Sequence, residues 1–276
     1  MIGTSIHNIF IDRSNTIYLT NNANGTITIW ENGSLSPTQV ISVKPLAPRF
    51  VFVINKVLYF DSGFRDGIVY KWVLHPTTNN SDQVLKANSS CDHMFIDISD
   101  TMYCSLNHGH RVVKQWLGND ATEIVENVAG TGIAASASDT LNHPYGIFVD
   151  INFDLYVADC NNHRIQRFST GERKGFTVAG NGSVRFNIIL RFPTAIVLDI
   201  NEIFFIADYG NQRIIRLGPF GFQCLVGRCD SSDSTEYFYA GSLDFGFDIF
   251  GNMFVVSGTN ATLLKFSLSR TNSCGR

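Results

Sequence analysis

From residue 143 to residue 168 apolar and polar positions alternate in two strand-length runs, with a third close behind: HPYGIFVDINFDLYVADCNNHRIQRF. Period-two alternation broken by Asp and Asn predicts half-buried β-strands joined by tight turns. The same plan of strand, Asp-bearing turn, strand, polar loop, Arg and third strand recurs at 91–114 (CDHMFIDISDTMYCSLNHGHRVVK) and 192–216 (FPTAIVLDINEIFFIADYGNQRIIR). Weaker copies stand at 7–30, 48–72 and 245–266. An aromatic marks one second-strand position in every copy: Tyr18, Tyr59, Tyr103, Tyr156, Phe205 and Phe254, at intervals of 41, 44, 53, 49 and 49 residues. That spacing is the length of a four-stranded propeller blade. Fourth strands are visible at 39–43, 124–129, 176–179 and 222–226, and no helical period competes over any window.

Six copies predict an all-β fold, a six-bladed β-propeller of four-stranded antiparallel blades filling residues 1–276 as one domain, with blades near 5–45, 46–88, 91–130, 141–181, 190–228 and 241–270. Only ten residues follow Phe266, so the last blade is expected to lack its outer strand. The fourth copy carries HPYGIFVD (143–150), LYVAD (155–159) and NHRI (162–165), and with these segments the chain resembles the NHL-repeat family of six-bladed propellers. The resemblance implies the fold. Members of that family do unrelated jobs, so it implies no particular chemistry.

Recurrence assigns most of the chemistry-bearing residues to the fold. Asp12, Asp97, Asp150 and Asp199 open the first turn of their copies, where an Asp side chain accepts backbone N–H bonds. A catalytic carboxylate pair is needed once, not around a ring. Asp159 with Arg164, and Asp208 with Arg213, end the strands that flank a short loop and are expected to tie it down by charge-assisted bonds. Recognition of an anionic ligand by these arginines is the other reading. Arg111 stands in the same register but is expected to face Ser105, which leaves it freest to contact a partner.

Six cysteines form an even set without a CxxC pair, which disfavours zinc ribbons and thioredoxin-like chemistry. Cys91–Cys104 flank a hairpin and Cys224–Cys229 a short loop, so both pairs are disulfide candidates, while Cys160 and Cys274 have no evident mates. Six N-x-S/T sequons stand at Asn24, Asn32, Asn79, Asn88, Asn181 and Asn260, against about four from chance, and point weakly to a secreted glycoprotein. The start MIGTSIHNIF has no signal-peptide pattern and taken alone indicates a cytoplasmic protein. An extracellular fragment whose upstream residues held the missing strand and a signal peptide reconciles these features. No apolar run reaches the roughly 20 residues of a membrane helix.

The formal charge is −3, with 21 basic against 24 acidic residues, too little positive field for nucleic acid, so the RNA-binding propellers of tripartite-motif proteins are a poor match. The zinc-dependent peptidyl-hydroxyglycine amidating lyases resemble the chain in architecture, and that resemblance implies histidines from separated blades on one metal. The histidines here are lopsided, with none in blades five and six. No nucleophile elbow, P-loop or HExxH occurs in a suitable context. The reading is therefore a non-enzymatic module without cofactor or metal that binds another protein or an extracellular ligand. Its binding candidates are the loop residues His108, His110, Arg111, His143, Tyr145, Asn162, His163 and Tyr209.

Overall fold

A computed structural model describes residues 6–74, 81–118, 125–184, 186, 188–229, 243–257 and 262–267. Blade one consists of β1 (Ile6–Ile11), β2 (Ile17–Asn21), β3 (Thr26–Trp30) and β4 (Gln39–Ser42). Blade two has β5 (Val51–Ile54), β6 (Val57–Asp61), β7 (Ile68–Val73) and β8 (Asp82–Lys86), the last a strand that the hydrophobic pattern had not disclosed. Blade three has β9 (Cys91–Ile96), β10 (Thr101–Leu106), β11 (Arg111–Trp116) and β12 (Glu126–Ala129); residue 124, where that last strand was expected to begin, lies outside the described residues. Blade four is β13 (Pro144–Val149), β14 (Leu155–Asp159), β15 (Arg164–Phe168) and β16 (Phe176–Gly180), and blade five is β17 (Pro193–Leu198), β18 (Phe204–Asp208), β19 (Arg213–Gly218) and β20 (Gly221–Gly227). Blade six, β21 (Leu243–Phe247), β22 (Met253–Ser257) and β23 (Thr262–Phe266), has three strands among the described residues. Every sheet is an antiparallel meander in chain order. The only helices described are two three-residue 3-10 turns, and none is long and apolar enough to cross a membrane.

Packing explains the aromatic register. The described core divides into six apolar clusters, one at each junction between neighbouring blades, and each receives one of the recurring aromatics: Tyr18, Tyr59, Tyr103, Tyr156, Phe205 and Phe254. A flat sheet with apolar residues on both faces is stable only when neighbours cover both, so the blades must close into a ring. Closure falls on the junction of blades six and one, where Phe254 and Val256 pack on Ile6, Ile9 and Leu19.

Five of the six first turns have the same chemistry. Oδ1 of Asp12 accepts from the backbone N of Ser14 and Thr16, and Asp97, Asp150, Asp199 and Asp248 repeat the pattern with the residues two and four positions on. The Tyr18, Tyr103 and Tyr156 hydroxyls donate to Oδ2 of Asp12, Asp97 and Asp150, which couples turn to core. Blade two lacks this Asp and turns tightly through Asn55 and Lys56, both at positive φ as a type I′ turn requires.

Both expected disulfides are formed, Cys91–Cys104 between β9 and β10 and Cys224–Cys229 at the end of β20. Cys160 is a free, partly buried thiol whose pKa burial and the neighbouring Asp159 push up to about 12, and Cys274 lies outside the described residues. Gly180 ends β16 at φ 84°, and a Cβ there would stand 2.3 Å from the His163 carbonyl oxygen. Gly171 has a similar φ of 80° but open space around it. Gly180→Ala is expected to cost at least about 2 kcal/mol and Gly171→Ala about 1 kcal/mol in urea denaturation, since only the first adds a clash to the backbone strain.

Candidate functional site

Antiparallel order sorts the connections onto two faces. Loops from second to third strands and from each blade to the next share one face, here the mouth; first turns and third-to-fourth loops share the other. The innermost strands ring the axis. At one register, three residues before the partner of the recurring aromatic, the first five blades place His7, Arg49, Asp92, Tyr145 and Thr194. Three residues deeper stand Phe10, Phe52, Phe95 and Phe148, whose rings follow one another at centroid distances of 4.6, 5.7 and 5.1 Å. A polar ring at the mouth thus sits above an aromatic arc.

The polar ring is electrostatically coupled. Arg49 pairs with Asp92 and donates through its second terminal nitrogen to the Gly63 carbonyl at 3.2 Å, while Ser90 donates to the other Asp92 oxygen at 2.8 Å. Asp61 accepts from the backbone N of Arg49, Phe50 and Gly63, yet its burial raises the carboxyl to about 7. Asp244 accepts from Asn8 Nδ2 at 2.6 Å and Ile9 N at 3.1 Å, and burial raises it to about 6. Burial lowers His93 to about 4, so its Nδ1 stays an acceptor facing Ile147 N at 3.4 Å. Burial and then Arg49 hold His7 below the usual imidazole range. Tyr145 is surrounded by the ring but remains partly exposed to the channel; burial, then Asp92 and Asp244, push its phenol up, so it stays a neutral donor.

The loop candidates fall into two groups. His110 and His143 meet edge to face at 4.7 Å, with His108 5.5 Å from His143. One ring nitrogen of each of two of them is engaged locally: His143 Nδ1 faces Asn107 Oδ1 at 2.7 Å, and the backbone N of His143 donates to His110 Nδ1 at 3.2 Å. Burial, and then the neighbouring imidazoles, lowers the pKa of His143, with the same two causes acting on His110. His163 stands apart, accepting from Phe192 N at 3.1 Å, and Tyr209 packs against the junction of blades five and six. Among the described residues no group of three or more His, Cys, Asp or Glu side chains is placed to hold a metal.

Asp159 is fully buried and accepts from Asn142 N (2.7 Å), Asn162 Nδ2 (2.8 Å) and Arg164 Nε (2.7 Å); its pKa is nevertheless raised, because burial outweighs these donors. Arg164 extends to the carbonyls of Ser136, Ala137 and Thr140, so one ion pair ties the loop to the connection entering the blade. Blade five repeats this with Asp208, Asn211 and Arg213, which reaches the Ile189 carbonyl. Blade three differs, and one expectation is corrected here: Arg111 pairs with Leu106, not Ser105, which lies opposite Val112. Aligned on the aromatic, Leu106 stands where Asp159 does and Gly109 where Asn162 does. The tie has lost its acid and its amide, and Arg111 Nε is buried without a hydrogen-bond partner.

Sequence reasoning missed Asn8, Arg49, Asp92, His93 and Asp244. None of these residue types recurs at its register, so only the circular order of blades brings them together. The available signal was, for Asp92 and Asp244, a charged residue at the second position of an inner strand.

Fold and site define a six-bladed propeller with a polar axial mouth. The family model for the NHL repeat matches residues 141–168, so the fourth blade carries an NHL repeat. No curated protein matches the chain in sequence. Among solved structures, a protein of unknown function from Bacteroides thetaiotaomicron is similar with a TM-score of 0.72 at 12% identity, over 95% of this chain and 69% of that one. Virginiamycin B lyase from Staphylococcus aureus aligns at TM-score 0.64 and 11% identity over 96% of both chains. A chain of a nidogen/laminin complex aligns at 0.62 and 13% identity over 91% of this chain and 92% of that one. At such identities the likeness is one of fold.

Two outcomes follow from the buried carboxylates. Asp159→Asn leaves the Arg164 guanidinium buried without its counter-charge and is expected to cost about 3 kcal/mol in urea denaturation. Asp244 has a folded pKa of about 6, above its unfolded value, so its contribution to stability is complete below about pH 4 and lost as pH rises through 6. Stability measured from pH 4 to pH 8 is therefore expected to fall more in the wild type than in Asp244→Asn; parallel profiles would refute the assignment.

Proposed function

We propose that the protein is a non-enzymatic interaction module that holds another protein or an extracellular ligand on its mouth face. One observation carries the reading: five blades each contribute one hydrogen-bonding side chain to a single ring at the axis, and partly exposed Tyr145 faces the channel there. The His108, His110 and His143 rim lies beside it in blades three and four, and the Asp92 charge bears on His143. Arg49, Asp92, His110 and His143, fixed by their own hydrogen bonds, fit recognition by a preformed site. An extracellular compartment is supported by two disulfides and by sequons whose Asn24, Asn32, Asn88 and Asn181 are exposed; Asn79 and Asn260 lie outside the described residues. A zinc-lyase reading is disfavoured because, among the described residues, no group of three or more His, Cys, Asp or Glu side chains is placed to hold a metal. The charge balance likewise disfavours RNA.

The test is affinity capture from extracellular extract with secreted wild type and with a His108→Ala, His110→Asn, His143→Asn variant. Asn is chosen because His110 and His143 have φ of 50° and 51°, which Asn tolerates. Retention of a partner is expected to drop about tenfold in the variant, roughly the effect of one lost hot spot. Equal retention by a variant with wild-type near-UV dichroism would show that the mouth face is not used.

A further inference from the structure

The face opposite the mouth carries an apolar feature that neither the repeat nor the mouth explains. Its first turns present the residue after each turn Asp to solvent. In blade one this is Arg13, but in blades three to six it is Ile98, Ile151, Ile200 and Ile249, exposed by 74%, 80%, 99% and 64%. Polar and small residues are the ones that suit a tight turn, and β-branched side chains gain nothing there unless something covers them. Phe250, 73% exposed, adjoins Ile249, and the third-to-fourth loop of blade five adds Phe220, fully exposed. The turns of blades six and one touch on this face, Ile249 N donating to Asn15 Oδ1 at 2.9 Å. Ile133, Val184 and Ile189 are exposed on the mouth face, but at unrelated loop positions.

Equivalent register in four successive blades makes the isoleucines an arc around the axis rather than scattered surface residues. With the two phenylalanines they expose roughly 900 Å² in all, close to the ~800 Å² that one partner gives a standard interface. Charge on this face is mixed: Arg13 and Lys56 mark blades one and two, Asp100 and Glu202 the turns of blades three and five. It therefore lacks the basic surplus that draws a protein to an anionic bilayer.

We propose that this face pairs with the same face of a second copy, back to back, about a twofold axis lying across the arc. That operation maps blade three onto six and four onto five, setting Ile98 against the partner's Ile249 and Ile151 against the partner's Ile200. The polar turns of blades one and two fall together at one side, and both mouths point outward. The dimer thus presents two mouths for ligand and does not depend on what they bind.

Sedimentation velocity of the secreted full chain from about 1 to about 100 µM, at physiological salt, reads the outcome. Wild type is expected to sediment with twice the chain mass, and Ile151→Asp with Ile200→Asp to weaken association by at least about 100-fold. Asp suits a turn and both sites are exposed, so the variant keeps its fold, which thermal melting checks; Ile98→Ser with Ile249→Ser is a second variant expected to act likewise. The His108, His110 and His143 exchanges should leave the dimer intact, which separates this result from that of the mouth. A monomeric wild type over the whole range, dimers that persist in both isoleucine variants, or flotation of a monomer with neutral vesicles would overturn the proposal.

Discussion

Closure of the ring is the constraint on which the rest of the molecule depends. Each blade has apolar side chains on both faces and cannot bury them alone, so the last must find the first. At that junction Phe254 and Val256 meet Ile6, Ile9 and Leu19, and the buried Asp244 carboxylate is held by Asn8 and the backbone of Ile9. A few apolar contacts and one short hydrogen-bonded clasp join residues about 235 positions apart in the chain. Without that contact the inner strands would not circle an axis, and neither the polar mouth nor the apolar arc would exist.

Two kinds of Asp then hold the strands together within most blades. The first-turn carboxylates, Asp12, Asp97, Asp150, Asp199 and Asp248, organise turns that are polar inside but free to present any residue outward. The second-strand carboxylates, Asp61, Asp159 and Asp208, take backbone donors from the entry to their own first strand and so fix where that strand meets the axis. In blade three Leu106 takes the second position, and the histidines His108 and His110 occupy a loop that lacks the ion-pair tie. The functional candidates are thus concentrated where the structural use of charge lapses.

Much of this was legible along the chain because repetition separates what the fold needs from what it tolerates. The aromatic register located the six junctions, the Asp and Arg positions located turns and ties, and the disulfides followed from strand adjacency for Cys91–Cys104 and from a short loop for Cys224–Cys229. The placement of Arg111 failed by one residue: Ser105 and Leu106 were confused because pairing register, not linear spacing, decides which residue stands across a hairpin. The axial ring was less accessible still. His7, Arg49, Asp92, Tyr145 and Thr194 are different residues in five blades, and no local pattern marks them as neighbours.

The sequence by itself therefore determined the fold, since strand period, turn chemistry and aromatic spacing act within one blade or between adjacent ones and are written as repeats. Only the tertiary structure decided the company each side chain keeps across the axis. There, Arg49 meets Asp92 because a ring of innermost strands brings residues of separate blades within hydrogen-bonding distance. The same ring raises the carboxyls of Asp61 and Asp244 by shutting water away from them, an effect of enclosure that no residue carries in its own identity.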